Sequence, residues 1–346
     1  MIRKVHDGII HYTNPNLTVW SFRGKLFYNN QIGNTWQTVN LPFCSKAAFF
    51  LQSRILRRLS RYYIYHVIPA FGKWAVFGLK RFFLYDEKQN KIIFESDIIG
   101  SRPLSVCVNP NGLYYGEYIN NKERRPVNLW LYSTKSNIWE KVWSFENIRH
   151  IHGVHYDHYE RYVWITTGDN DNESAIWRTN DDFNSIMKIK GGSQQYRTIK
   201  LLFSRDAVYF GSDAPNEENY LYRLNRDDNE ITKLKKVGGS VFYGCKLNDW
   251  LFFSTVVEPS KVNNSKFSEV WASPDGNYWR CIMRFKKDSW NKRYFQYGQV
   301  LFPEGPGDGK NLWITPFATK HDQAILKIKI EDIEKLYNQN NCLSFI

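Results

Sequence analysis

Short apolar runs closed by polar turn residues recur along the chain with a period of about 45 residues, the length of one propeller blade. From Pro103 the runs read LSVCVNP, LYYGEYI, VNLWLYS and WEKVWSF. The next unit reads HIHGVHYD, YVWITTGD, AIWRTND and SIMKIKG. TIKLLFSR, AVYFGSDA, NYLYRLNR and ITKLKKV follow, and after them VFYGCKLN, LFFSTVVE, EVWASPDG and YWRCIMRF. The third run of each unit pairs an aromatic with a polar turn, as in Tyr132-Ser133, Trp177-Arg178-Thr179, Tyr222-Arg223 and Trp271-Ala272-Ser273. YYIYHVIP, KWAVFGL, RFFLYDE and KIIFES form an earlier unit, and LTVWSFR, KLFYNNQ and TWQTVNL a shorter first one.

The last unit supplies FQYGQVLF, NLWITPFA and AILKIKI, then turns into a helical pattern over about residues 330–340 and lacks a fourth strand. The N-terminal IRKV or GIIHY is placed to supply it, which closes the ring and removes unpaired edges. The pattern predicts an all-β chain: one seven-bladed β-propeller of four-stranded antiparallel blades spanning residues 1–346. One segment departs from it. Ser45 to Arg61 carries Phe49, Phe50, Ile55, Leu56 and Leu59 near helical spacing, among Arg54, Arg57, Arg58 and Arg61. It predicts an inserted basic helix, either capping one face of the ring or lying against anionic lipid.

The 13 Trp, 22 Tyr and 23 Phe suit pleated strands and also offer faces for sugars. A net charge of +13 and a pI near 9.3 favour a polyanionic partner. The basic residues are spread along the chain and no zinc-finger or RRM pattern occurs, which ranks nucleic acid below acidic glycan or membrane surface. The five cysteines Cys44, Cys107, Cys245, Cys281 and Cys342 have neither metal nor disulfide spacing and read as reduced structural thiols. MIRKVHDGIIHYTNPN has no apolar signal core, so the expected address is cytoplasmic, with peripheral contact at the inner membrane as an extension.

SPDGNYW (Ser273 to Trp279) resembles the Asp-box of sialidase-type, BNR-repeat propellers, one residue short, and TNDDF (Thr179 to Phe183) and STKSNIW (Ser133 to Trp139) are weaker versions at the same blade position. The resemblance covers roughly residues 60–320 and implies the fold, since the Asp-box serves enzymes and binding proteins alike. More loosely, the chain resembles the propeller polysaccharide lyases, whose His, Arg and Tyr side chains act at the channel mouth.

In a propeller, ligand groups come from residues opening each first strand and closing each second strand. The openings offer Arg102; Arg149, His150 and His152; Gln195 and Arg197; Tyr243; Tyr297 and Gln299. The second-run ends offer Glu117, Tyr118, Asp169 and Asp213, with Arg125 in the loop beyond Glu117. His150 and His152 fall on one side of an extended strand and His155 on the other, so the first two form a base with its orienting partner or hold a divalent metal. GDNDNE (Gly168 to Glu173) reads as a solvated turn with a faint calcium-loop character.

These residues fit an acidic, uronic-acid-containing polysaccharide, in bacterial surface-polysaccharide metabolism. In β-elimination His150 or His152 is the base, Arg102 and Arg197 clamp the carboxylate, and Tyr243 protonates the leaving oxygen. Glycoside hydrolysis by Glu117 with Asp169 or Asp213 is the alternative. A non-catalytic glycan-binding or scaffold propeller at the inner membrane surface is the other.

Overall fold

The computed structural model describes residues 2–30, 36–41, 45–78, 80–133, 135–340 and 342–346. Cys44 lies outside these residues. Seven sheets follow one another around a central channel, each built on four antiparallel strands that are consecutive in sequence except at the seam, with a fifth strand added to blade six. Blade four is typical: His150–Tyr156 innermost, then Val163–Gly168, Ala175–Thr179 and Met187–Gly191. Alternation along these strands sends apolar side chains into the gaps between sheets. Val154, Val163 and Ile165 of blade four thus pack with Tyr114, Val127 and Leu129 of blade three.

Blade seven has Gln299–Leu301, Asn311–Phe317 and Ala324–Lys329, and its fourth strand is the N-terminal Arg3–Asp7, with Arg3 opposite Lys327. The chain ends therefore share one blade. The helical pattern beyond it is the helix Ile330–Asn338. Two elements carry too little periodicity to predict: a helix of one turn, Lys292–Phe295, and a C-terminal strand, Leu343–Phe345, which adds in parallel to Arg280–Lys286.

First strands of four blades contain a register shift near the end that meets the channel mouth or beside it. In blade four Ile151 pairs with Thr167 and Gly153 with Thr166, so His152 is the extra, unpaired residue. Tyr65 and Phe242 hold the same place in blades two and six. A bulge re-aims a side chain that strict alternation would bury in the sheet. Gly153 is required beside the bulge in blade four, because a Cβ there would lie 2.5 Å from His155 Nε2 and 2.6 Å from the Ile199 carbonyl.

The basic insertion is two short helices, α1 (Ser45–Gln52) and α2 (Arg54–Ser60), divided at Ser53, whose hydroxyl caps α2 by accepting from Leu56 N. Arg57 and Arg58 are buried. Arg57 donates to the Leu51 carbonyl at 2.6 Å, while Arg58 ion-pairs with Asp288 and donates to the Phe295 carbonyl. Arg54 pairs with Asp322 at 2.7 Å and lies over the Trp290 ring. Arg57 and Arg58 are thus committed to the protein, while Arg54 and Arg61 remain exposed on the insertion beside the exposed Phe49, Ile55 and Leu59. No helix among the described residues is long and apolar enough to cross a membrane.

Candidate functional site

Connections from each fourth strand to the next first strand open on the same face as the second-to-third loops. α2 and the one-turn helix α3 (Lys292–Phe295) both lie in such connections, and Arg58 ties them together through Phe295. They border a cavity of about 700 Å³ at that mouth of the channel.

Of the residues nominated from sequence, Arg102, Tyr118, His152, Arg197, Asp213 and Tyr243 line this cavity, with Tyr297 and Gln299. The bulge residues Tyr65 and Phe242 join His152 there. His150 stands directly behind, its ring 4.2 Å from that of Tyr118. Asp169 gathers the cluster. Its Oδ1 lies 3.3 Å from Nε2 of both His150 and His152 and 3.1 Å from Arg197 Nη2, and its Oδ2 lies 3.0 Å from Arg149 Nη1. Burial would raise the Asp169 pKa, but contacts with the two imidazoles and the Arg197 charge hold it well below the usual carboxylate range. Burial lowers His152 to about 4, which makes it neutral at pH 7.

Arg197 also meets Asp213, Nε to Oδ2 at 3.2 Å. With Nη1 on the Asp169 carbonyl, this guanidinium is fully engaged by protein and serves to hold Asp213 rather than to clamp a ligand. Burial pushes Asp213 up to about 7, outweighing the neighbouring Arg197, and the negative charge of Glu258 adds to the rise. Tyr243 donates to Gln299 Oε1 at 3.1 Å.

Three nominated residues lie elsewhere. Glu117 points along its own sheet, where it accepts from Asn128 N at 3.0 Å and Trp130 Nε1 at 2.8 Å. Its neighbour Tyr118 takes the mouth, as period-two alternation requires. Arg125 is exposed and pairs with Glu123, while the preceding Arg124 turns inward to Glu173 at 2.6 Å. Gln195 borders a separate small cavity. GDNDNE is a turn whose Asn170, Asp171 and Asn172 are exposed, as expected, and it is anchored by Glu173, whose buried carboxylate accepts from Asp169 N and Arg149 N at 3.1 Å.

The cavity wall also holds groups that the blade pattern did not nominate: Arg61, Lys80, Lys292, Arg293 and Glu258. Only Arg61 was singled out, as part of the insertion. Six cations (these four with Arg102 and Arg197) thus face two carboxylates, Asp213 and Glu258. Apart from Arg197, none of the six forms an ion pair among the described residues.

His150, His152 and Asp169 present the donor types of a metal centre. Their ligand atoms are separated by 2.9, 3.3 and 3.3 Å. A first-row cation about 2.0–2.1 Å from each donor spaces neighbouring donors by about 2.9–3.4 Å, so the distances fit. The charge does not, because Arg149 and Arg197 already neutralise Asp169 and would repel a dication. No chemistry is assigned to a metal here.

The turn of SPDGNYW, at Ser273 to Trp279, folds on itself. Ser273 Oγ accepts from Gly276 N at 2.9 Å, Asp275 Oδ1 accepts from Tyr278 N at 3.1 Å, and Trp279 Nε1 donates to the Gly276 carbonyl at 2.9 Å. It joins third and fourth strands and so lies on the face away from the cavity.

No protein-family model and no curated protein matches the chain. Among solved structures, it is similar to a chain of the mitotic checkpoint complex, at 10% identity and a TM-score of 0.59, over 95% of this chain and 90% of that one. It is also similar to the extracellular domain assigned to a hybrid two component system of B. thetaiotaomicron (11% identity, TM-score 0.60, 94% of this chain). A domain assigned to a one component system from the same organism gives 11% and 0.59 over 94% of this chain. The chain spans 39% and 40% of the length of these last two. At such identity the likeness establishes the propeller fold alone.

Proposed function

We propose that the protein acts on an acidic glycan, holding a uronate-type residue in the mouth cavity. The observation that carries this reading is the excess of six cations over two carboxylates in a recess also lined by Tyr65, Tyr118, Tyr243 and Tyr297. Cations without a carboxylate partner attract an anion, and rings give sugar faces a surface to lie on. Arg102 is the carboxylate clamp, aided by Arg61 on the roof.

Elimination is the favoured chemistry. With the carboxylate neutralised by arginine, the proton α to it becomes more acidic, and neutral His152 on the wall accepts it. Asp213, protonated for much of the time near pH 7, or Tyr243 returns a proton to the leaving oxygen. Hydrolysis remains the second reading, carried by Asp213 and Glu258 in place of Glu117. The charge on Glu258 helps keep Asp213 protonated, the division of roles that an acid and its partner carboxylate need. A cytoplasmic site of action is part of the proposal.

The test is incubation with a panel of uronic-acid polysaccharides, following both absorbance near ~232 nm, from the double bond that α-proton removal creates, and new reducing ends. Absorbance supports elimination, reducing ends without absorbance support hydrolysis, and binding without product makes the propeller a glycan receptor. No binding to any acidic glycan overturns the proposal. Chelators are expected to leave the outcome unchanged.

A further inference from the structure

Away from the cavity, the fold brings together two cysteines that are far apart in sequence. Cys281 lies in the outermost original strand of blade six, Arg280–Lys286, and Cys342 just precedes the C-terminal strand Leu343–Phe345. The two strands run in parallel register, Met283 beside Leu343 and Phe285 beside Phe345. The Phe285 and Phe345 rings stack at 4.4 Å, and Arg284 Nε donates to Ser344 Oγ at 2.6 Å. This ladder holds the two free thiols with Sγ atoms 2.8 Å apart.

Access and acidity set this pair apart. A surface cavity of about 760 Å³, lined by both cysteines with Trp271, Arg280 and Tyr337, gives a small reagent access to them, and neither Cys107 nor Cys245 borders it. The hydrogen bond from Cys281, supported by the Arg284 charge, lowers the Cys342 thiol pKa, the condition for a nucleophilic thiolate. Burial raises Cys107 and Cys245 far above the ordinary range and makes them inert.

We propose that Cys281 and Cys342 are a reversible redox clasp that closes by exchange with a low-molecular-weight disulfide. The Cys342 thiolate attacks one sulfur of oxidised glutathione, whose S–S bond breaks to release one glutathione thiolate. Cys281, on losing its proton, attacks Cys342 Sγ in the mixed disulfide and expels the second glutathione. Two protein thiols are thereby oxidised to one disulfide, and one glutathione disulfide is reduced to two thiols. The closed loop contains Gln299–Leu301, Asn311–Phe317 and Ala324–Lys329, the three strands of the blade that must grip the N-terminal strand. The clasp therefore strengthens the seam of the ring.

The test is treatment of the purified chain with oxidised glutathione, followed by non-reducing peptide mapping, thiol titration after unfolding, and thermal melting. The expected result is a Cys281–Cys342 linked peptide, the loss of two titratable thiols and a melting point raised by about 5 °C. Dithiothreitol should reverse all three. Cys342→Ala should abolish the linkage and the shift, whereas Cys107→Ala should keep both. Unchanged thiol content, a linkage through Cys44 or another cysteine, or identical melting of the oxidised and reduced protein overturns the proposal.

Discussion

The channel mouth and the channel interior are built from the same first strands, yet they treat charge in opposite ways. Inside, Lys200 Nζ pairs with both oxygens of Glu304, at 2.8 and 3.0 Å. His11, His66 and His155 are kept neutral by burial, and each is satisfied by Ser21 Oγ, the Pro103 carbonyl or the Ile199 carbonyl at 2.7–2.9 Å. At the mouth, five of six cations have no carboxylate partner among the described residues. Groups that complete each other hold a fold together. Groups left incomplete are available to a ligand, and here they cluster at one end of the axis.

The contrast makes separable predictions. Glu304→Leu should strand Lys200 in the channel and cost about 3 kcal/mol of stability by denaturant titration, while glycan affinity of the folded fraction stays unchanged. Glu304 keeps 36% of its side-chain surface open to the channel, so the cost belongs at the low end of the range for buried pairs. Arg102→Ala should do the converse, weakening an acidic oligosaccharide by about 30-fold in calorimetry with an unaltered melting point. Equal losses of stability and affinity in either variant would dissolve the distinction between the two regions.

The smallest effect concerns Asp213. Its folded-state pKa, about 7, lies above the ordinary carboxylate value. Its contribution to stability is therefore full in acid and lost as pH rises through about 7. Affinity for an anionic glycan should fall a few-fold over the same interval as Asp213 gains its charge, and Asp213→Asn should flatten that limb. A titration that is identical in wild type and variant would remove Asp213 from the site.

Much of this was legible beforehand, for identifiable reasons. Blade order, the shared last blade and the mouth placement of Arg102, His152, Arg197 and Asp213 follow from strand periodicity plus propeller topology. Periodicity also caused the misses. Glu117 and Tyr118 both close a strand, and nothing in the sequence says which of two neighbours turns inward; the same ambiguity exchanged Arg125 for Arg124. The bulge at His152 is invisible to a pattern that counts by twos, although Gly153 beside it was a hint. Glu258 closes its second run as Asp213 does and was available by the same rule. Lys292 and Arg293 sit on a helix too short to leave a periodic trace. Cys281 and Cys342 meet only because a three-residue strand joins blade six.

The pairing of Arg3–Asp7 with Ala324–Lys329 has a consequence for the order of events at birth. Six blades are assembled from neighbours in sequence and can form as the chain emerges from the ribosome. Arg3–Asp7 must wait, its edge unsatisfied, until Ala324–Lys329 has been made. Closure is thus a late and slow step, governed by contacts more than 300 residues apart, such as Ile10 N to Thr315 Oγ1. A nascent chain stalled before blade seven would expose that edge to other chains, which makes prompt completion of translation part of what keeps this protein from aggregating.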